Sequence, residues 1–157
     1  MKLNKRLLFI CVAIPLMIGT LAALLTRNSM ETFGSLEQPP LAPPAWLFPV
    51  TWTILYTLMG ISSYLILHAD AEFEEIADAM RLYVYQLGVN FLWPTFFFNF
   101  GWYFFSFLWL VLLWILVFLM IRKFDTISRN AAILNIPYLL WLTFAGYLNL
   151  GIWWLNR

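Results

Sequence analysis

Charge is what this chain has least of. Only 11% of its 157 residues are charged, whereas 63% are hydrophobic. A soluble domain carries about 25% charged and about 45–50% apolar residues, so an ordinary soluble fold is excluded. There is one cysteine and one histidine. Cys11 therefore has no partner for an intrachain disulfide, and inside an apolar run its thiol behaves as a small hydrophobe. His68 stands alone, so the sequence offers no metal site. With 9 Lys and Arg against 8 Asp and Glu, and no basic run, nucleic acid is not an expected partner. The apolar stretches hold no Ser/His/Asp set, no paired carboxylates and no glycine-rich phosphate loop. No conventional catalytic residues are assigned.

What the chain has instead is long apolar runs. A bilayer core needs about 20 apolar residues of helix. Five stretches qualify, at about 7–25, 46–67, 80–98, 102–121 and 131–155. The expected fold is an all-α integral membrane protein, a five-transmembrane-helix bundle in which residues 1–157 form a single transmembrane domain. A short turn near Asn99 and Gly101 makes the third and fourth helices antiparallel neighbours. The opening "MKLNKR" plus an apolar run resembles a signal peptide. The run is long for one, so an uncleaved first span is expected. Seven Lys and Arg fall on one side (Lys2, Lys5, Arg6, Arg81, Arg122, Lys123, Arg129) and two on the other (Arg27, Arg157). That asymmetry places the N-terminus inside and the C-terminus outside. The acidic connector with Glu72, Glu74, Glu75 and Asp78 reads as a solvated loop or interfacial helix.

Within "YVYQLGVNFLWPTFFFNF", Gln86 and Asn90 pose a physical problem. A primary amide in an apolar medium without a partner costs roughly 2–7 kcal/mol. Spacing suggests the answer, because residues at i, i+4, i+7 and i+11 share a helix face. Gln86, Asn90, Trp93 and Phe97 follow that rule. So do Trp52, Tyr56, Met59 and Ser63 on the second span. Trp141, Ala145, Asn149 and Ile152 follow it nearly on the fifth, with Asn156 extending the line. Lipid tails offer no hydrogen bonds, so these stripes should face the bundle interior or a cavity. Interhelical glue explains the amides without any ligand. For Trp52, Trp93 and Trp141, core packing and ligand contact both stand. Trp46, Trp102, Trp153 and Trp154 read as interfacial anchors, and Trp109 and Trp114 as lipid-facing or packing residues.

Prolines punctuate the chain. Pro15 and Pro94 sit inside helical runs and should kink them, and Pro137 marks a kink or a helix start. Between the first two spans, "GSLEQPPLAPPAWLFP" holds Pro39, Pro40, Pro43 and Pro44, which forbid a helix and favour an extended, stiff path. A connector of roughly 20 residues is long for a bundle. It reads as an ordered lid over one end. Gly19 and Ala23 form a small-xxx-small pair on the first span, which permits close contact and a homodimer.

The stretches "SLEQPPLAPPAWLFPVTWTILYTLMG", "QLGVNFLWPTFFF", "ILNIPYLLWLTFAGYLN" and the closing "LN" resemble the TspO family, the tryptophan-rich sensory proteins that include the mitochondrial translocator protein. The resemblance covers nearly the whole chain. It implies a five-helix bundle, often dimeric, with a ligand cavity near the first loop. It implies porphyrin binding and, in some members, sterols, benzodiazepine-type ligands or light- and oxygen-dependent breakdown of protoporphyrin. By motif, Trp52 and Trp141 would flank the ligand, Asn90 would hydrogen-bond in the pocket, Ala145 and Asn149 would line the fifth-helix wall, and Pro43 and Pro44 would shape the lid. The sequence departs from the family at "METF", where a Trp-Tyr pair is usual, at Gln38, where Lys is usual, and at Leu41, where an aromatic is usual. After Tyr147 the next basic residue is Arg157, too distant for the sterol motif of animal members.

The expected function is a membrane binding protein or sensor for tetrapyrroles and other hydrophobic ligands. Tyr56, Gln86 and Trp93 complete the expected site. The absence of a metal ligand in the stripes favours a free-base porphyrin over haem, as ligand rather than cofactor. If porphyrin is photodegraded, Trp52 and Trp141 are the reactive candidates. The alternatives are a transporter of a lipid, sterol or tetrapyrrole intermediate, and a regulatory membrane protein with no ligand.

Overall fold

A computed structural model describes residues 3–157. Lys2, counted above on the inner side, lies outside them. Helix α1 (Lys5–Thr26) runs through a 3₁₀ turn, Arg27–Ser29, into the short α2 (Met30–Gly34). Then come α3 (Leu47–Leu67), α4 (Phe73–Pro94), a π-helical turn at Thr95–Asn99, α5 (Tyr103–Ile127), α6 (Arg129–Leu134) and α7 (Ile136–Leu155). Among the described residues there is no strand. Among the described residues four segments are long and apolar enough to cross a membrane: Lys5–Gly34, Leu47–Leu67, Tyr103–Ile127 and Arg129–Leu155. The protein is a multi-pass integral membrane protein.

Helix α4 is the fifth long helix, and its polar first turns keep it out of that set. It begins at Phe73, well before the apolar run, so the acidic connector forms its opening turns. Glu74 and Glu75 lie in the first turn, where a carboxylate is favoured by the helix dipole. Asp78 pairs with Arg81 at 2.6 Å on an exposed face. Hydropathy marks where a helix meets lipid; the dipole-favoured carboxylates support the earlier start. At its other end Pro94 is followed by the π-helical turn, a usual accommodation of a helix interruption.

The last apolar stretch is broken as well. Pro137 sits in the first turn of α7, where its missing N–H costs nothing. Asn135, fully buried between α6 and α7, donates to Ser62 Oγ at 2.6 Å and to the Ala131 carbonyl at 3.0 Å. Ser62 donates to the same carbonyl at 2.8 Å. These bonds bind α6 to α3. Beyond them α7 packs along α5, and its backbone stands away from α3.

Around the bundle, α1 packs on α3 and α4, α4 on α5, and α5 on α6 and α7. The α1–α3 contact is closest at Gly60. A Cβ there would meet the backbone of Val12 and the carbonyl of Cys11. Pro15 leaves that carbonyl without a helical donor. The driest packing is at the α6 end: Ile66, Ala79, Val117, Met120, Phe124 and Ala131 are fully buried there. Toward the opposite end Trp52, Trp93 and Trp141 are only partly buried. One end of the bundle is a close-packed core, and the other is filled with large aromatic side chains.

Candidate functional site

The two amides that the sequence singles out meet across three helices. Gln86 and Asn90, one turn apart on α4, are 0% and 3% exposed. The Tyr56 hydroxyl on α3 donates to Asn90 Oδ1 at 3.0 Å. Asn90 Nδ2 donates to the Tyr138 hydroxyl oxygen on α7 at 2.6 Å, and Tyr138 donates to Gln86 Oε1 at 2.8 Å. Gln86 Nε2 is left facing Met59 Sδ at 3.8 Å, a weak acceptor. The chain Tyr56–Asn90–Tyr138–Gln86 resolves most of the desolvation cost of the amides within the protein. Amide nitrogen on Gln86 is the member served least.

Aromatic packing extends the cluster. Trp52 stacks on Tyr56 at 5.4 Å and meets Tyr138 edge-on at 6.1 Å. Trp141 meets Phe48 edge-on at 5.9 Å. Its indole nitrogen is buried and has no hydrogen-bond partner among the described residues. An unserved buried donor costs about 1–3 kcal/mol. One turn further along α4, Trp93 Nε1 donates to Asn149 Oδ1 at 3.1 Å, and Asn149 Nδ2 donates to the Tyr103 carbonyl at 2.7 Å. Trp109 and Trp114 donate to the Val89 carbonyl and to Thr143 Oγ1, so both indoles pair within the protein.

Space remains between α3 and α7. A groove of about 440 Å³ is lined by Thr51, Ile54 and Leu55 on one side and Pro137, Leu140, Trp141 and Phe144 on the other. Of the ten expected site residues, only Trp141 borders it. Trp52, Tyr56, Gln86 and Asn90 form one contact network behind it, Trp93 and Asn149 form a second pair nearer the loop, and Ala145 sits half-buried between Trp141 and Asn149 on α7.

The proline-rich loop turns where an extended path was expected. The Ala42 N–H donates to the Pro39 carbonyl at 3.3 Å, with Leu41 at φ 67° between them. The loop is tied to α7. The side chain of Asn156 accepts from the Glu37 N–H and donates to the Glu37 carbonyl, both at 2.9 Å. Tyr147 donates to the Pro40 carbonyl at 2.7 Å, and Pro39 packs where a Cβ on Gly151 would be. Pro43 is half-buried, while Pro44 is exposed and accepts from the Leu47 N–H at 3.0 Å. These two prolines lead into α3 and make no bond to the network.

Sequence reasoning missed Tyr138, the hub of the network, and Phe48. Tyr138 lies three residues before Trp141, so extending the α7 stripe one step backwards finds it. Phe48 precedes Trp52 by four and extends the α3 stripe in the same way. Gly19, expected to permit close helix contact, makes one within the protein: the edge of the Tyr56 ring lies so near that an added Cβ would clash with it.

Comparison with known proteins places the chain in a family. The TspO/MBR family profile matches residues 11–155. The chain is 33% identical over 157 residues to the tryptophan-rich protein TspO of Chlorobaculum tepidum, covering 98% of this chain and 99% of that one. It is 37% identical over 124 residues to protein CrtK of Rhodobacter capsulatus, covering 79% and 78%. It is 35% identical over 149 residues to the translocator protein of Bos taurus, covering 92% and 86%. The chain belongs to the TspO/MBR family.

Proposed function

We propose that this protein binds a flat, amphiphilic, hydrophobic ligand of the tetrapyrrole class inside the membrane, between α3, α4 and α7. In this reading α4 is a fifth span, the N-terminus is inside, and the proline-rich loop is a lid over the site. One observation carries it: polar and aromatic side chains from three helices converge on a single cluster that still holds underserved donors. Among the described residues Gln86 Nε2 has only a sulfur partner at 3.8 Å, and Trp141 Nε1 has none. A ligand edge bearing carboxylates or carbonyls would serve either donor. The indoles of Trp52 and Trp141 would contact its π-face, each contact worth about 0.5–1.5 kcal/mol beyond burial. Binding needs no metal ligand from the protein, which suits a free-base porphyrin.

The self-satisfied part of the network favours a second reading, a membrane protein whose amides only join helices. Porphyrin titration of tryptophan fluorescence separates the two. Saturable quenching that weakens on Trp52→Phe or Trp141→Phe supports a site. Quenching that rises linearly with porphyrin, unchanged by either substitution, supports partition into the surrounding lipid or detergent and removes the binding reading.

A further inference from the structure

Helices α3 and α7 meet differently at their two ends. At the α6 end the Ser62 side chain of α3 bonds to the Ala131 carbonyl of α6 and to Asn135, the residue that leads into α7, and beyond that point the α3 and α7 backbones pack little on each other. Across the remaining seam the helices touch through two edge-to-face aromatic pairs, Phe48–Trp141 at 5.9 Å and 72°, and Trp52–Tyr138 at 6.1 Å and 72°. Phe48 and Trp52 are one turn apart on α3, as Trp141 and Tyr138 are on α7, so the pairs form a two-rung zip. Outside it lies the apolar groove of about 440 Å³, with the exposed Ile54 and Leu140 at its rim. Behind it lie Tyr56, Asn90 and Gln86.

The loop end contrasts with this. The loop is held on α7 by the two-way Asn156–Glu37 clamp, by Tyr147 on Pro40 and by Pro39 packed on Gly151. Those contacts are polar and multiple. The seam is closed by aromatic rings alone, with the Tyr138 hydroxyl bonded to Asn90 and Gln86 behind it, and it faces the place where a lipid-soluble molecule resides.

We infer that the α3–α7 seam is a lateral gate, through which a flat apolar ligand with a hydrogen-bond acceptor on its edge passes from the bilayer to the site. Opening requires the two aromatic pairs to part, without breaking a backbone hydrogen bond. Trp141 is both a rung of the zip and an unserved donor. An arriving acceptor would therefore meet it first. The inference rests on the binding reading and adds the direction of access.

The test uses full-length protein in phosphatidylcholine vesicles, mixed rapidly with protoporphyrin. The saturable phase of tryptophan quenching that follows partition into the bilayer is timed. Phe48→Ala removes one rung and is expected to speed both association and dissociation by about two- to tenfold. Leu140→Trp, at an exposed position on the groove rim, is expected to slow association while the quenching amplitude at saturation is kept. Asn156→Ala, which releases the loop clamp, is expected to leave the rates unchanged. Acceleration by Asn156→Ala, with Phe48→Ala and Leu140→Trp neutral, would overturn the lateral gate and place access at the loop. Loss of the saturable phase in the unsubstituted protein would overturn the binding reading itself.

Discussion

Asn90 Nδ2 donates to the Tyr138 hydroxyl oxygen at 2.6 Å, joining α4 to α7 across a span where their backbones do not pack closely. Tyr138 passes the chain on to Gln86. The two phenols and two amides therefore behave as a unit. Tyr138→Phe strands one buried group on Asn90 and one on Gln86, each costing about 1–3 kcal/mol. Asn90→Ala strands mainly Tyr56. Thermal unfolding in detergent should rank Tyr138→Phe as the more damaging, although it removes a single atom. Equal, negligible effects would mean that the network adds nothing to stability.

Gly19 and Tyr56 give a prediction that reaches the site from a helix with no polar site residue. An added Cβ at Gly19 would clash with the edge of the Tyr56 ring. Gly19→Ala must displace that ring, and with it the stack on Trp52 and the bond to Asn90. Overpacking of this kind costs about 1–3 kcal/mol. The penalty should largely vanish when Tyr56 is already Ala. A penalty that persists in the Tyr56→Ala background would point to another neighbour of Gly19.

Two helical glycines should respond with opposite sign. At Gly60 a Cβ meets the α1 backbone at Cys11 and Val12, which has no side chain to swing aside. Gly60→Ala is expected to separate α1 from α3 and lower the unfolding temperature. At Gly88 nothing lies within 4 Å of the added atom. There Ala should stabilise the helix by up to about 1 kcal/mol. Parallel thermal melts of the two variants check both directions.

Leu41 occupies the left-handed region at φ 67° and is 83% exposed. Its side chain gains little from packing, and the backbone costs roughly 1–2 kcal/mol for a non-glycine residue. Leu41→Gly should therefore match or exceed the original stability, and Leu41→Val should fall below it. Proteolysis of the loop in intact protein reports the difference: the Val variant should be cut faster.

Light separates binding from chemistry. Under illumination in air, Trp52→Phe and Trp141→Phe each keep an aromatic ring for contact but lose the indole. If the indoles react, porphyrin binding should weaken modestly while light-dependent loss of porphyrin falls sharply. Loss at an unchanged rate, followed by absorbance, would assign these tryptophans to packing and contact alone.

Helix positions were largely legible from hydropathy, and the stripes on α3, α4 and α7 from spacing alone. The early start of α4 was not, because a dipole-favoured acidic turn carries no apolar signal. The break before α7 was legible through Pro137, which starts the helix, but the buried Asn135 amide that fastens it to α3 was not singled out. At the site, the polar residues were legible because amides are costly in hydrocarbon. Tyr138 and Phe48 were not singled out, since a tyrosine or phenylalanine among so many aromatics looks like bulk. That the amides would satisfy one another through two phenols depends on helix rotation and separation, which spacing within one helix does not give.

A structure of the protein with protoporphyrin bound tests the central claim most directly. The account predicts the macrocycle between α3, α4 and α7, in contact with Trp52 and Trp141, with an acceptor on its edge bonded to Trp141 Nε1 or Gln86 Nε2. A porphyrin held on the outer surface, with the Tyr56–Asn90–Tyr138–Gln86 chain unchanged and both donors still unserved, would contradict it.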